Sequence, residues 1–258
     1  MSKGIQVSGS GPVVILLHSS LSSKEQWKSL IKQLAPRFTC VNVDLQGYGS
    51  LINEKISVPY SLKCEVERIQ AFLQQEAISD PYYLVGHSFG GAVALRLADA
   101  FKQQVKALCI FEPVAFHLLN EANPQRQQVS ELAVRMDKVT AVEAAALFTD
   151  YWNGEGYFSA LPKPIQQGLA ELMPKVSLDF GAIISEPKTA RDYAESISAN
   201  ILLMTGDKSR SSAKAVVKVI GEHLNHVTKI EINGGHMAPL LQSSLVNPLI
   251  MDYLFSHI

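Results

Sequence analysis

The sequence is poor in charged residues, which make up 18% of its 258 residues, against about 25% in an ordinary soluble domain. Its formal net charge is −1 and it contains no run of lysine or arginine, so a nucleic-acid partner is not expected. No apolar run approaches the roughly 20 residues that a membrane span needs, and the first residues lack the apolar core of a secretion signal. These absences predict a cytoplasmic chain without a membrane span.

Cysteine is also scarce. Cys40, Cys64 and Cys109 do not have the paired spacing of a disulfide framework or a zinc site. Cys40 and Cys109 lie within apolar runs, where a buried thiol acts as a small apolar side chain. The sequence has no His-Glu-x-x-His pattern and no glycine-rich phosphate loop followed by lysine. No metal and no cofactor are therefore predicted.

What the sequence does contain is a large apolar fraction, 47%, arranged in short runs that alternate with segments of helical periodicity. Nearly continuous runs of Val, Ile and Leu are typical of strands that helices cover on both faces. Alternating strands and helices predict an α/β fold with a mainly parallel sheet. The predicted core strands are residues 13–18, 39–44, 82–86, 105–113, 200–206 and 227–233.

The helix starts carry their own signals. Ser23 and Gln26 have the spacing of a capping box before the first helix. Asn247 and Pro248 predict the cap and first turn of the last helix.

The alternation stops between the fourth and fifth core strands. Residues 113–187 show only helical patterns, including a capping box of Thr140 and Glu143. The sequence therefore predicts a core of residues 1–112 and 188–258, with 113–187 as a helical insertion. A long excursion at the carboxyl end of a strand is expected to cover a site, because open α/β sheets bind ligands at that edge.

The segment GHSFG, residues 86–90, follows a predicted strand and precedes a predicted helix. This is the context of a nucleophile elbow, in which Ser88 stands out from a turn so tight that Gly86 and Gly90 must lack side chains. The following helix directs its positive end toward Ser88. We predict Ser88 as a nucleophile.

A serine needs a base to take its proton and a third group to orient that base. His236, in a loop after the last predicted strand, fits the base. Asp207, after the strand 200–206, fits the acid and gives the chain order Ser, acid, His. Glu112 also ends a strand at the same edge and is a rival for the acid. Asp207 is preferred because Gly206 holds it in a turn.

An oxyanion needs two backbone N–H donors, one after the nucleophile and one from the loop after the first core strand. Phe89 supplies the first by its position. Ser20 is the choice for the second.

Together these segments resemble the α/β-hydrolase superfamily over nearly the whole chain. The resemblance rests on HSSLSS (18–23), DLQGYGS (44–50), GHSFGG (86–91), TGDKS (205–209) and GGHMAPL (234–240). It departs from the family at Ser19, where glycine is usual, and at Leu51, where serine is usual. Only one strand-like stretch, residues 5–9, precedes the core, so a sheet of about seven strands is expected, with 113–187 as the cap.

The resemblance implies a serine hydrolase that cleaves a small or medium ester, thioester or lactone through an acyl-enzyme. Serine at position 88 argues against the dehalogenase and epoxide hydrolase branches, which use a carboxylate nucleophile. Phe148, Tyr151 and Trp152 are expected to line the substrate pocket. Two alternatives remain at this stage: a carbon–carbon bond hydrolase or lyase on the same fold, and a small-molecule receptor with little turnover. The oligomeric state is left open.

Overall fold

The computed structural model describes residues 3–56, 58–79 and 81–258. Seven strands form within these ranges. They are β1 Ile5–Gly9, β2 Val13–Leu17, β3 Thr39–Val43, β4 Tyr82–His87, β5 Val105–Phe111, β6 Asn200–Gly206 and β7 Val227–Ile232.

The strands form one sheet in the order β1-β3-β2-β4-β5-β6-β7. All neighbours are parallel except β1, which pairs with β3 in the antiparallel sense. The chain moves from β2 to one side for β3 and crosses to the other side for β4, so the loops after β2 and β4 lie next to each other at the carboxyl edge. Such a switch point is where open α/β sheets bind ligands. The predicted fold class and strand number are confirmed.

Helices cover both faces of the sheet and bury the apolar strands, as the continuous Val, Ile and Leu runs predict. They are α1 Lys28–Leu34, α2 Leu62–Gln75, α3 Phe89–Phe101, α4 Pro124–Met136, α5 Ala141–Asn153, α6 Tyr157–Ala160, α7 Lys163–Glu171, α8 Met173–Ser185, α9 Ala190–Ser196, α10 Ser211–His223, α11 Ala238–Leu241 and α12 Ser243–Phe255. No helix in the described ranges is long and apolar enough to cross a membrane.

Two of the predicted helix starts are wrong. Ser23 caps a short 3-10 turn by accepting from the Glu25 N–H, but the Gln26 side chain turns away to other partners. The last helix begins four residues before Asn247, and Pro248 lies inside it. The capping box of Thr140 and Glu143 forms as predicted at the start of α5.

Residues 113–187, the helical segment, contain helices α4 to α8 and a 3-10 turn at Phe116–Leu118, but no strand. The segment leaves the sheet directly after Glu112, which has a φ of 42°. The backbone N–H of Glu112 donates to Met204 on β6 (3.0 Å), and that of Val114 donates to the Ser88 carbonyl (3.2 Å). The start of the helical segment is therefore hydrogen-bonded to β6 on one side and to the residue that follows β4 on the other.

Candidate active site

Ser88 lies on a sharp turn between β4 and α3, with φ 55° and ψ −118°. A positive φ is strained for a residue with a side chain and persists only where surrounding structure holds it. Here the Ser88 N–H donates to the Phe111 carbonyl (3.1 Å), and the Ser88 carbonyl accepts from Ala92 (3.0 Å). Ser88 is 7% exposed and is therefore buried.

The glycines on either side of Ser88 are required by close backbone approach. A Cβ on Gly86 would lie 2.5 Å from the Gly90 carbonyl oxygen, and a Cβ on Gly90 would collide with the backbone of Leu17 and His18. The turn therefore packs against the end of β2, which sets Ser88 beside the loop that follows that strand.

His236 lies in the turn between β7 and α11 and is almost fully buried. Its Nε2 lies 2.9 Å from the Ser88 Oγ, a distance at which the imidazole can take the hydroxyl proton. The predicted nucleophile and base are thus brought together from β4 and β7.

The carboxylate that contacts His236 belongs to Glu112. Its Oε2 lies 2.7 Å from His236 Nδ1, and its Oε1 accepts from the Gly206 N–H (2.7 Å) and the Thr205 hydroxyl (2.9 Å). Burial alone raises the pKa of this carboxyl, but the hydrogen bonds and charge of His236 and the Gly206 N–H outweigh it and lower the pKa below its usual value. Glu112 is therefore an ionised acceptor at neutral pH.

The expectation that Asp207 orients His236 is wrong in this structure. Asp207 is exposed, and its Oδ1 accepts from the Gly234 N–H at 2.9 Å. It steadies the turn that leads to His236 without contacting the imidazole. The physical reason is reach: the longer Glu112 side chain extends from the end of β5, the strand next to β4.

Phe89 and Ser20, the expected oxyanion donors, both lie beside Ser88. Phe89 opens α3, and the first N–H groups of a helix have no acceptor within that helix. Ser20 follows β2 and lines the same pocket as Ser88. Its hydroxyl donates to Asp179 of α8 at 2.7 Å, so the helical segment fixes the conformation of this loop.

Asp179 belongs to a buried polar cluster that the sequence analysis missed. The Asp179 carboxylate also accepts from the Tyr48 hydroxyl and pairs with Lys175, one helical turn away. The Lys175 ammonium lies 4.9 Å from the centre of the Phe89 ring and 4.6 Å from that of Tyr48. The spacing of Lys175 and Asp179 on α8 was visible in the sequence, but their common burial depends on the tertiary fold.

His87 is a second buried residue that contacts the site and that the sequence analysis did not predict. Its Nδ1 accepts from the Gln26 amide (3.2 Å) and its Nε2 donates to the His236 carbonyl (2.8 Å). Burial and the nearby His236 lower the pKa of His87 to about 3, so the ring is neutral and this tautomer is fixed. The Gln26 side chain also accepts from the Ser19 N–H (3.1 Å), which ties the loop after β2 to His87.

Trp152 of α5 stacks on the imidazole of His236, with ring centres 3.9 Å apart and planes inclined by 24°. The electron-rich face of the indole, which attracts cations, is therefore turned toward this imidazole. It also excludes water from one face of the ring.

Two chambers meet at Ser88. The large chamber, of about 170 Å³, is lined by Ser88, His236, Phe148 and Trp152 and by apolar residues of α6, α7 and α11. Its polar lining residues also include Ser19, Ser20, Ser22, Thr149 and Asn153. The small chamber, of about 20 Å³, is lined by Ser20, Ser88 and Asp179 and by apolar residues that follow β5 and lie on α5 and α8. Phe148 and Trp152 line both.

Tyr151 does not line either chamber, contrary to expectation. Its hydroxyl lies 2.7 Å from Ser212 Oγ on α10, and the Arg210 guanidinium lies 4.9 Å from its ring centre. The reason is helical geometry, since adjacent residues of a helix point about 100° apart. Tyr151 therefore fastens α5 to the core while Trp152 faces the site.

Within residues 3–56, 58–79 and 81–258, no group of three His, Cys, Asp or Glu side chains is arranged to hold a metal ion. The polar groups at Ser88 are paired in series, with the Ser88 Oγ 2.9 Å from His236 Nε2 and the Glu112 Oε2 2.7 Å from His236 Nδ1.

Three buried histidines predict acid sensitivity. Burial lowers the pKa of His18 and His117 to about 4 and that of His87 to about 3, against about 6.5 in an unfolded chain. Between these pKa values the unfolded chain binds more protons than the folded chain. The free energy of unfolding therefore has its full value above about pH 6.5 and decreases as the pH falls below it. We expect a loss of about 1.4 kcal/mol per pH unit for each such histidine, measured by urea unfolding from pH 7.5 to 4.5.

His117→Asn provides the matched comparison, because His117 lies outside the site described above. Its unfolding free energy should fall less steeply between pH 6.5 and 4.5 than that of the wild type. A wild-type stability that stays constant across this window would contradict the prediction.

Comparisons with known proteins agree with this architecture. A model described as the alpha/beta hydrolase family matches residues 14–247. A haloalkane dehalogenase of Mesorhizobium japonicum is 32% identical over 128 residues, 50% of this chain and 40% of that protein. Lipase LipV of Mycobacterium tuberculosis is 30% identical over 138 residues, 53% of this chain and 50% of that protein.

Among solved structures, an α/β hydrolase from a deep-sea metagenome library, MGS-M2, superposes with a TM-score of 0.79 at 15% identity, covering 97% of this chain and 93% of that one. This likeness concerns the fold. The chain covers less than two thirds of the length of the first curated relatives that it matches.

Proposed function

The chain belongs to the α/β hydrolase family, and from that premise we propose that it is a serine hydrolase that cleaves a carboxylic ester through an acyl-enzyme. The observation that carries the proposal is the continuous pairing of Ser88 Oγ, His236 Nε2, His236 Nδ1 and Glu112 Oε2, with distances of 2.9 and 2.7 Å. A hydroxyl paired in this way is an activated nucleophile.

In the proposed reaction, Ser88 Oγ bonds to the substrate carbonyl carbon and its proton passes to His236 Nε2. The oxyanion is held by the N–H groups of Phe89 and Ser20. The bond from the carbonyl carbon to the alkyl oxygen then breaks, and Nε2 gives its proton to that oxygen. Water attacks the acyl-enzyme, loses a proton to Nε2 and releases the acid as the proton returns to Ser88. Ester and water give acid and alcohol.

Glu112 is the proposed acid of this triad. It holds the proton of His236 on Nδ1, which leaves Nε2 free to accept from Ser88, and it stabilises the imidazolium. The indole of Trp152 stabilises the same cation from above. No metal enters the proposed reaction.

The helical segment 113–187 is proposed to act as a cap. It supplies Phe148 and Trp152 to the walls of both chambers and holds Ser20 through Asp179. It thus excludes water from the site and shapes the substrate pocket, as caps over reacting groups do.

The choice of ester chemistry is supported by residue 88 and by one relative. The dehalogenase relative is named for cleavage of a carbon–halogen bond, and the lipase relative for ester hydrolysis. A serine at position 88, paired with a histidine, suits acyl transfer. The walls of the large chamber are apolar or carry uncharged polar groups, apart from His236, and suit an uncharged ester.

The test combines covalent labelling with turnover. A fluorophosphonate should attach once per chain, on the peptide that contains Ser88, and hydrolysis of p-nitrophenyl acetate should be lost in proportion to labelling. Tryptic mass spectrometry identifies the site. Attachment at another residue, or full turnover in fully labelled protein, would refute the proposal.

A further inference from the structure

We infer that the two chambers divide an ester in a fixed way, with the acyl group in the small chamber and the alcohol in the large one. The enzyme would then select esters of short acyl groups, acetyl or propionyl, with longer apolar alcohols. This inference rests on the proposed function, because it assigns substrate parts to the two sides of Ser88.

The position of His236 sets the direction of the substrate. Its Nε2 must protonate the departing alkyl oxygen, so that oxygen must come within hydrogen-bond reach, about 2.6–3.2 Å. His236 lines the large chamber and not the small one. The alcohol therefore extends into the large chamber, and water enters from that side once the alcohol has left.

The acyl chain must then extend from Ser88 on the side away from His236. That side is the small chamber, which shares Ser88 and Ser20 with the large chamber but is not lined by His236. Asp179 also lines it, but both of its carboxylate oxygens are occupied by Ser20, Tyr48 and Lys175. The remaining walls are apolar, so the chamber suits a hydrocarbon chain.

The size of the small chamber limits the acyl chain. Its volume of about 20 Å³ is little more than the space that a single water needs, which matches a methyl or ethyl group. Its walls include Phe116, Phe180 and Ile183, which are all at most 4% exposed. Side chains packed inside a core at this density yield little to a larger group.

The large chamber has the opposite character. Its outer walls include Ile165, Leu240 and Leu241, with exposed fractions of 51%, 43% and 63%. A chain longer than the chamber can therefore continue along this apolar surface toward solvent. The structure thus limits the length of the acyl chain strictly and the length of the alcohol chain only loosely.

Isomeric esters separate these two limits. Hexyl acetate and ethyl hexanoate have the same formula and leaving alcohols of nearly equal acidity, but they exchange the long chain between the two sides. We expect kcat/KM for hexyl acetate to exceed that for ethyl hexanoate by at least about 100-fold, because each methylene that a pocket cannot take is worth about 10-fold or more. The rates are measured by titration of the released acid.

Ile183→Ala should enlarge the small chamber and raise kcat/KM for ethyl hexanoate at least about 10-fold relative to hexyl acetate. Ile183→Val removes a single methylene and serves where the alanine variant is too unstable; it should shift the preference in the same direction for ethyl butyrate. Leu240→Ala, in the wall of the large chamber, is the matched control. It should change the dependence on alcohol length, and the ratio of kcat/KM for ethyl hexanoate to that for ethyl acetate, which share one alcohol, should stay as in the wild type.

The outcomes separate the inference from the function on which it rests. Equal rates for the two isomers, or faster hydrolysis of ethyl hexanoate, would overturn the assignment of the chambers and leave the serine hydrolase proposal standing. An unchanged acyl preference in both Ile183 variants would do the same. No turnover of either isomer, with no labelling of Ser88, would overturn both.

Discussion

Replacing Ser88 with alanine is expected to reduce kcat for p-nitrophenyl acetate by at least about 10⁴-fold and to abolish fluorophosphonate labelling. The change removes the atom that forms the acyl bond, and the residual rate then comes from the oxyanion donors and binding alone. The fold should persist, because the backbone hydrogen bonds of residue 88 to Phe111 and Ala92 do not involve the side chain.

Ser8→Ala is the control for the Ser88 variant. Ser8 lies on the edge strand β1, three positions from β4 in the sheet, and its loss should leave turnover at the wild-type level. Circular dichroism and thermal unfolding should show that both variants are folded. Turnover in Ser88→Ala within 10-fold of the wild type, or labelling that persists, would exclude Ser88 as the nucleophile.

Glu112→Gln should lower kcat by about 10⁴-fold, and Asp207→Asn should lower it by less than about 10-fold. Glutamine at 112 cannot satisfy both neighbours. If its oxygen faces the Gly206 N–H, its amide NH₂ meets His236 Nδ1 and forces the proton onto Nε2, where it blocks acceptance from Ser88. If its oxygen faces His236, its NH₂ opposes the Gly206 N–H.

Asp207→Asn is the matched control, because it makes the same chemical change one strand away. Asp207 accepts from Gly234, and an asparagine oxygen can still accept that bond. Both variants should be compared by kcat and by urea unfolding. A larger loss of kcat in Asp207→Asn than in Glu112→Gln, at equal stability, would return the role of the acid to Asp207.

The sequence was sufficient for the features that depend on local pattern. Strands buried on both faces are continuous apolar runs. Ser88 and His236, the predicted nucleophile and base, follow strands within glycine-containing turns. Each of these signals lies within a few residues, so no knowledge of distant contacts was needed to predict them.

The acid could not be chosen in this way, because Glu112 and Asp207 end neighbouring strands, β5 and β6, at the same edge of the sheet. Which of them contacts His236 depends on side-chain length and on where the turn after β7 places the ring. The direction of Tyr151 and the burial of Lys175 with Asp179 likewise depend on how α5 and α8 pack. Gln26 has the spacing of a capping residue, but the tertiary contacts to Ser19 and His87 prevail over that local role.

The junction after β5 has a consequence for exchanging parts between relatives. Glu112 is the last residue before the helical segment, whereas an acid at position 207 would be separated from that segment by all of β6. A chimera that receives another protein's segment at residue 113 would be joined next to Glu112, the proposed triad carboxylate. The bonds from Glu112 to Met204 and from Val114 to Ser88 span this splice, so a graft that begins after Val114 would retain them both. In this chain, a replacement of the helical segment that begins at residue 113 would therefore alter the same two residues, Pro113 and Val114, whose backbone helps to hold Glu112 and Ser88 in place.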